Sequence, residues 1–339
     1  MVKNAGKPGT KPSRARLRSP RRDRKPLVAV IGAGRLGTAL GQALNNAGYR
    51  VEIVAARRRT SAQRAAKLTG RTTAGLSVQQ LNRLSRSQSV RLSRCALILI
   101  STPDDAIASV AEQLAVLFNS RAVEPRRASA RRVALHTSGA LSADVLSPLR
   151  RAGFAIGSLH PLVSISDART GSDAFRNAFF AIEGERLAAR AAKAVVRDLG
   201  GQSFSISPAA KALYHAAAVT TSGHVVALFD IALEMLVSCG LSRRRSRQIL
   251  RPLLESTARN LSTKDPRLAL TGTFARGDVS TARRHLASIK SHKLSDALAV
   301  YILLGQRSLL LAGGRGANRG GLARIAEMLS TKASSSSRP

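Results

Sequence analysis

The chain has 339 residues, room for two domains of ordinary size, and its 44% apolar content is that of a globular protein and not of a disordered one. Lys and Arg number 55 against 19 Asp and Glu, a formal charge of +36, so two readings compete: a partner with nucleic acid or a membrane surface, or an enzyme with an Arg-rich exterior. Aromatics at 3% and the absence of Trp leave few platforms on which single strands could stack, and the charge is dispersed along amphipathic helices, which favours the second reading. Cys95 and Cys239 sit far apart in apolar runs with no C-x-x-C spacing, which predicts reduced, buried thiols and a cytoplasmic setting. No apolar run is read as long enough to span a bilayer, so no membrane partner is expected.

Residues 1–25 carry ten Lys/Arg and one Asp with almost no apolar side chains. They lack the apolar stretch of a signal peptide and read as a disordered basic tail, whose nucleic-acid contacts would be non-specific. The first strand is then predicted over 27–31, followed by Gly32-Ala33-Gly34-Arg35-Leu36-Gly37 and a helix over 36–47. A G-x-G-x-x-G that follows a strand and opens a helix cradles a dinucleotide diphosphate: Gly32 for the tight turn, Gly34 for close approach of the phosphates, Gly37 for packing of the helix on the sheet. A structural glycine turn is the alternative. The second strand, 50–55, runs into Arg57-Arg58-Arg59-Thr60-Ser61. An acid gripping a ribose 2′-hydroxyl is usual here; Arg57, Arg58 and Ser61 instead suit a 2′-phosphate, so NADP is expected over NAD. The alternative is that these arginines only add to the surface charge.

A helix is predicted over 61–68, a short strand and helix within 72–84, and a polar basic loop over 85–94. The strand 96–100 ends at Ser101-Thr102-Pro103-Asp104-Asp105. Ligands of open parallel sheets bind beyond the carboxyl ends of strands, which places Thr102, Pro103 and Asp104 against the cofactor; the two acids also suit the N-cap of a helix over 106–118. A second basic loop is expected over 124–132. The strand 133–136 ends at His136-Thr137-Ser138-Gly139, where hydroxyls and backbone N–H groups suit a nicotinamide amide, its ribose or a substrate carboxylate. A helix over 144–152, strands over 154–159 and 179–183 and a helix over 187–199 follow, so that a parallel βαβαβ sheet spans about residues 26–183. After Pro208 the chain reads as broad-striped helices over 209–239, 242–260, 278–290 and 296–312. The expected fold is a doubly wound α/β domain (26–206), an all-helical domain (207–330) and a frayed Ser-rich tail (331–339).

The glycine turn, Thr102-Pro103-Asp104-Asp105, His136-Thr137-Ser138-Gly139-Ala140-Leu141, Gly157-Ser158-Leu159-His160-Pro161, Tyr214-His215-Ala216-Ala217 and Thr271-Gly272…Arg276-Gly277-Asp278…His285-Leu286 together resemble one bacterial family. That family joins a Rossmann-like domain to a domain of unknown function 2520, and the resemblance runs from about Pro26 to Leu329. The family is similar in turn to pyrroline-5-carboxylate reductases, ketopantoate reductases and β-hydroxyacid dehydrogenases. The resemblance implies a Rossmann-type sheet, a C-terminal domain like that of 6-phosphogluconate dehydrogenase, an NADP-dependent oxidoreductase and a homodimer formed by the C-terminal helices. It names no substrate. The triple arginine and the two basic loops depart from the family's pattern.

A carbonyl or imine reduction needs a proton donor beside the acceptor atom. Lys211 and His215 stand at i and i+4 on one helix face. Related β-hydroxyacid dehydrogenases place a Lys four residues before an Asn in the corresponding helix, so the parallel is partial. Lys211 could donate a proton or bind a carboxylate, and His215 could orient it or donate itself; a solvated Lys beside a packed His is the alternative. Tyr214 is expected to point elsewhere. His160 follows a strand end, and Pro161 restricts its backbone to extended conformations. His224 is expected in the core, while His285, His292, Arg276 and Asp278 are candidates for the far side of a cleft or a dimer contact. No H-x-x-x-H or H-E-x-x-H spacing occurs, so no metal is expected, and no G-x-S-x-G elbow points to a hydrolase. The function expected is hydride transfer to or from a small, polar, anionic carbonyl, imine, hydroxy acid or amino acid; a non-catalytic NADP-binding regulator or scaffold is the rival.

Overall fold

A computed structural model describes residues 25–120, 132–313 and 318–333. The basic tail before Lys25, nearly all of the 124–132 loop and the last residues of the Ser-rich tail lie outside the described residues. The chain divides into two units, Met1–Ala218 and Val219–Pro339.

Among the described residues, the first unit is built on eight strands: β1 (Val28–Ile31), β2 (Val51–Ala56), β3 (Ala74–Ser77), β4 (Leu97–Ile100), β5 (Arg132–His136), β6 (Phe154–Pro161), β7 (Phe179–Gly184) and β8 (Gln202–Ser205). Their order is β3-β2-β1-β4-β5-β6-β7-β8. The first six follow the doubly wound Rossmann order, with parallel pairing throughout. β1, β2 and β4 are buried at every residue, as parallel strands covered on both faces must be. Alternation along β1 sends Val28 and Val30 into one core, and Ala29 and Ile31 into the other.

Helices α1 (Arg35–Asn46), α2 (Arg59–Thr69), α3 (Arg86–Ser93), α4 (Asp104–Asn119), α5 (Ser147–Arg151), α6 (Arg186–Asp198) and α7 (Lys211–Thr221) follow. Leu40 and Leu44 of α1 and Val195 of α6 fill the first core; Ile107, Leu114 and Phe118 of α4 and Leu149 of α5 fill the second.

Several expectations are corrected here. β7 runs antiparallel to β6, and β8 lies parallel to β7. The 162–178 connection holds only a 3-10 turn, Gly171–Phe175, so no helix carries the chain back to the far end for parallel pairing. The predicted loop over 85–94 is the helix α3, because Ser85 and Gln88 form a reciprocal capping box. Asp104 and Asp105 lie in the first turn of α4, whose N-cap is Pro103. Finally, the long helix predicted over 209–239 is two, α7 and α8 (Gly223–Ser238), separated at Ser222.

The second unit adds α9 (Arg243–Thr263), α10 (Pro266–Ala269), α11 (Thr273–Arg276), α12 (Val279–Ser291), α13 (Ser295–Ala312) and α14 (Arg319–Ala333). Its fully packed centre is Ala282, Leu286, Ile325 and Leu329. Much of its apolar surface is open: Val226 is 69% exposed, Leu303 66% and Leu310 69%. Cys239 and His224, both expected to be buried, are exposed, since α8 packs only part of its circumference. Two segments, Pro208–Ser238 and Ser295–Ala312, are long and apolar enough to cross a membrane by length and composition, contrary to the expectation that no run approached that length. The first is assembled from two helices and carries Lys211, His215, His224, Asp230 and Glu234.

Candidate functional site

The turn after β1 has the geometry its glycines were expected to provide. Gly32 takes φ +113°, and a Cβ there would overlap the backbone of Ser101. A Cβ on Gly37 would overlap the carbonyl oxygen of Gly32. These two glycines let α1 and β4 close on the turn. Gly34 differs: it is exposed, and a Cβ on it would meet nothing within 4 Å. The turn is therefore bare where a phosphate would approach. Ala33 and Leu36 are half-buried and Arg35 is exposed. The first turn of α1 has neither a capping side chain nor an acidic residue, which leaves its amides and its positive end for an anion.

Thr102, beyond β4, carries a buried Oγ1 with no hydrogen-bond partner among the described residues. A buried hydroxyl left unpaired costs free energy, and a ligand's polar atom would relieve it. Pro103 and Asp104 beside it are exposed. Just after β2, the Arg57 carbonyl accepts from Ser77 Oγ of β3 at 3.0 Å, while Arg57, Arg58 and Ser61 are exposed. Among the described residues, no ion pair occupies Arg57, Arg58 or Arg59. These features fit a dinucleotide, and an unneutralised arginine set fits an additional phosphate.

A second cluster forms where the carboxyl ends of the central strands line up. Ile31 pairs with Ile100, Ile100 with His136, His136 with Ser158, and Ser158 with Glu183. His136 is fully buried. Its Nε2–H donates to the Ser142 carbonyl at 3.2 Å, and its Nδ1 accepts the Ser138 N–H at 3.2 Å. Burial, with the positive charge of Lys211 next in importance, lowers its pKa to about 3, so the ring is neutral. Thr137 Oγ1 donates to Ser101 Oγ at 3.2 Å. Ser138 Oγ donates to Asp104 Oδ2 at 2.8 Å and accepts the N–H groups of Ala140 and Leu141, which fixes the loop after β5.

Lys211 is fully buried. Its Nζ donates to Ser158 Oγ at 2.8 Å and to the Ser138 carbonyl at 3.4 Å. Burial lowers its pKa, while Glu183 and Asp104 oppose the change. His160 Nδ1 lies 2.7 Å from the Tyr214 hydroxyl, and the ring meets both Tyr214 and His215 edge-on with centroids 5.5 Å apart. Burial, then His215 and Lys211, lower the His160 pKa to about 4, and burial raises that of Tyr214 to about 12. With both groups neutral, the phenol donates to Nδ1 and the imidazole proton sits on Nε2. Gly139 backs onto this pair: a Cβ there would lie 2.5 Å from His215 Cδ2 and 2.8 Å from His160 Nε2.

The structure thus brings together Lys211, His160, His215, His136 and Ser138, with Asp104 held by Ser138. Arg57, Arg58 and Ser61 stand apart at the end of β2 and the start of α2. Ser158, Glu183 and Tyr214 belong to the cluster, and sequence reasoning did not place them there. Tyr214 was expected to point elsewhere, and the antiparallel β6–β7 pairing that sets Glu183 opposite Ser158 was not foreseen. In the second unit, Asp278 caps α12, His285 Nδ1 lies 2.8 Å from the Tyr301 hydroxyl, and His292 Nδ1 lies 2.8 Å from the Ser288 carbonyl. Among the described residues, no group of three or more His, Cys, Asp or Glu could hold a metal ion.

Comparison with solved structures finds the same fold at low identity. A Bacteroides fragilis protein, described provisionally as an NADP oxidoreductase, aligns at a TM-score of 0.65 and 22% identity, covering 84% of this chain and 98% of that one. The protein TM1727 of Thermotoga maritima aligns at 0.60 and 20% identity, covering 84% and 98%. A reductive aminase of Aspergillus terreus, solved with NADPH and ethyl-5-oxohexanoate, aligns at 0.56 and 15% identity, covering 89% and 99%. No curated protein matches the chain in sequence. Family models match a Rossmann-like domain over residues 10–161 and the domain of unknown function 2520 over residues 178–308. The chain thus joins a Rossmann-like domain to the domain of unknown function 2520.

Proposed function

We propose that the chain is a cytoplasmic NADP-dependent oxidoreductase acting on a small, polar, anionic carbonyl or imine, or on the corresponding hydroxy or amino acid. The observation that carries this reading is the bare Gly34 turn beside the buried Thr102 hydroxyl, one strand away from the cluster that holds the neutral His136 and His160. Gly32–Gly37 and the α1 N-terminus would hold the diphosphate, Arg57, Arg58 and Ser61 the 2′-phosphate, and Thr102 to Asp104 with His136 to Ser138 the nicotinamide half. Bound there, the nicotinamide supplies the hydride. His160 is the group that holds a proton at Nε2; Tyr214 fixes its orientation from the other nitrogen, and His215 flanks it. Lys211 acts from behind the strand ends, and its positive charge favours a negatively charged substrate. The solved structures described as an NADP oxidoreductase and as a reductive aminase with NADPH support the same choice.

We also assign to this reading a homodimer formed by the helices of the second unit, whose open leucines and valines match a surface that a second copy would cover. Nucleic acid would be bound only non-specifically, by the basic tail.

NADPH fluorescence tests the cofactor reading directly. The wild-type chain binds NADPH at micromolar concentrations or tighter and NADH more weakly; Gly34→Ala loses about tenfold in affinity with an unchanged melting temperature. Absence of NADPH binding defeats the reading, and equal affinity for the two nucleotides removes the NADP preference. The complete burial of Lys211 favours one rival, an NADP-binding protein without turnover. It is identified by tight NADPH binding with no oxidation on a panel of keto acids and cyclic imines.

A further inference from the structure

Glu183 has a role that neither the fold nor the glycine turn assigns. It stands on β7 directly opposite Ser158 of β6, and its Oε2 accepts the Ala143 N–H at 2.7 Å and the Ser158 hydroxyl at 3.4 Å. Ser158 in turn accepts from the buried Lys211 ammonium at 2.8 Å. The order of donors is fixed along this line: ammonium to hydroxyl, hydroxyl to carboxylate. Glu183 also lines an open pocket of about 460 Å³, with Asp144, Arg150 and Glu185 at its rim. Arg150 there is engaged by both Asp144 and Glu185, at 3.0 and 2.7 Å, so Glu183 is left to serve the interior.

We propose that Glu183 is a positioning residue of the candidate site: through Ser158 it pins the Lys211 side chain and keeps that buried nitrogen positively charged. A lone buried ammonium is costly, and burial alone drives it towards the neutral amine. The charged and titratable groups around Lys211 are Glu183 on β7, Asp104 at the start of α4, His136 on β5, His160 on β6, and Tyr214 and His215 on its own helix. Of these only Glu183 and Asp104 are anionic. Asp104 is exposed and already accepts from Ser138, whereas Glu183 is half-buried and joined to Lys211 by one hydroxyl. This role rests on Lys211 belonging to the site proposed above.

The test is Glu183→Gln in the full-length chain. Glutamine keeps an oxygen that can accept the Ala143 N–H, so the loop after β5 is retained while the charge is removed. The ionisation of Lys211 is followed by NMR of ¹³Cε-labelled lysine, with Lys211→Met identifying its signal. The expected result is a fall of about one pH unit in the Lys211 midpoint, reproduced in part by Ser158→Ala and not by Glu185→Gln at the pocket rim. An unchanged midpoint in folded Glu183→Gln overturns the proposal, as does an equal fall in Glu185→Gln. If Glu183→Gln does not fold, Ser158→Ala decides alone: an unmoved midpoint there is equally fatal. NADPH binding is measured on the same samples. Its loss in the wild-type chain would count against the oxidoreductase reading, and the Lys211 titration reports on Glu183 in either case.

Discussion

The two units of this chain solve the problem of apolar burial differently. In the first, eight strands and their covering helices put two large sets of side chains out of contact with water, and three of the central strands have no partly exposed residue. In the second, among the described residues, α12 and α14 supply a fully packed centre of four residues while Val226, Leu303 and Leu310 stand about two-thirds exposed. A sheet hides both its faces by construction; a helix hides only the stripe its neighbours reach. Part of the apolar pattern of the second unit therefore describes something other than its own interior.

The contrast can be broken most severely in the first unit. Gly37→Ala drives a methyl into the Gly32 carbonyl, where no side-chain rotation relieves it; unfolding by denaturant should show a loss of about 3 kcal/mol or more. In the second unit, replacing Leu303 by Glu should leave the fold intact and halve the mass measured by light scattering. A wild-type mass of a single chain, or a paired mass that the substitution leaves unchanged, removes the pairing of copies through this face. The buried His136 gives a smaller, pH-dependent effect. Its folded pKa, about 3, lies below the unfolded value, about 6.5, so its neutral form stabilises fully above that unfolded value, and the contribution is lost as pH falls towards about 3. Between pH 6 and 5, stability should drop by up to about 1.4 kcal/mol per unit from this residue. A His136→Asn variant should show a correspondingly flatter profile in thermal melts. Smallest of all, Ser85→Ala removes the capping box of α3 and should cost about 1 kcal/mol, measured by the same melts.

The sequence makes the first half of the sheet readable because every signal there is local. An apolar run, three glycines and a helix start lie within eleven residues, 27–37, and each implies the next. Thr102 and His136 were placed by the rule that ligands gather at carboxyl strand ends. The cluster around Lys211 was only half visible. The i, i+4 spacing found Lys211 and His215, but the link from Ser158 to Glu183 depends on strand direction, and that follows from a connection whose only regular structure is a short turn. Tyr214 was misread because helical angle alone says nothing about what approaches from another strand. The break at Ser222 left no mark stronger than one Ser-Gly pair inside an apolar stretch.

The pairing that carries Ile31, Ile100, His136, Ser158 and Glu183 across five adjoining strands has a consequence for how this molecule can change over time. Slippage of β6 by a single position would set Gly157 or Leu159 where the hydroxyl now stands, and would turn every side chain of that strand to the opposite face. Length changes are thus barred between residues 154 and 161, however freely the loops drift, and the chemistry of the cluster is inherited together with the alignment of the sheet.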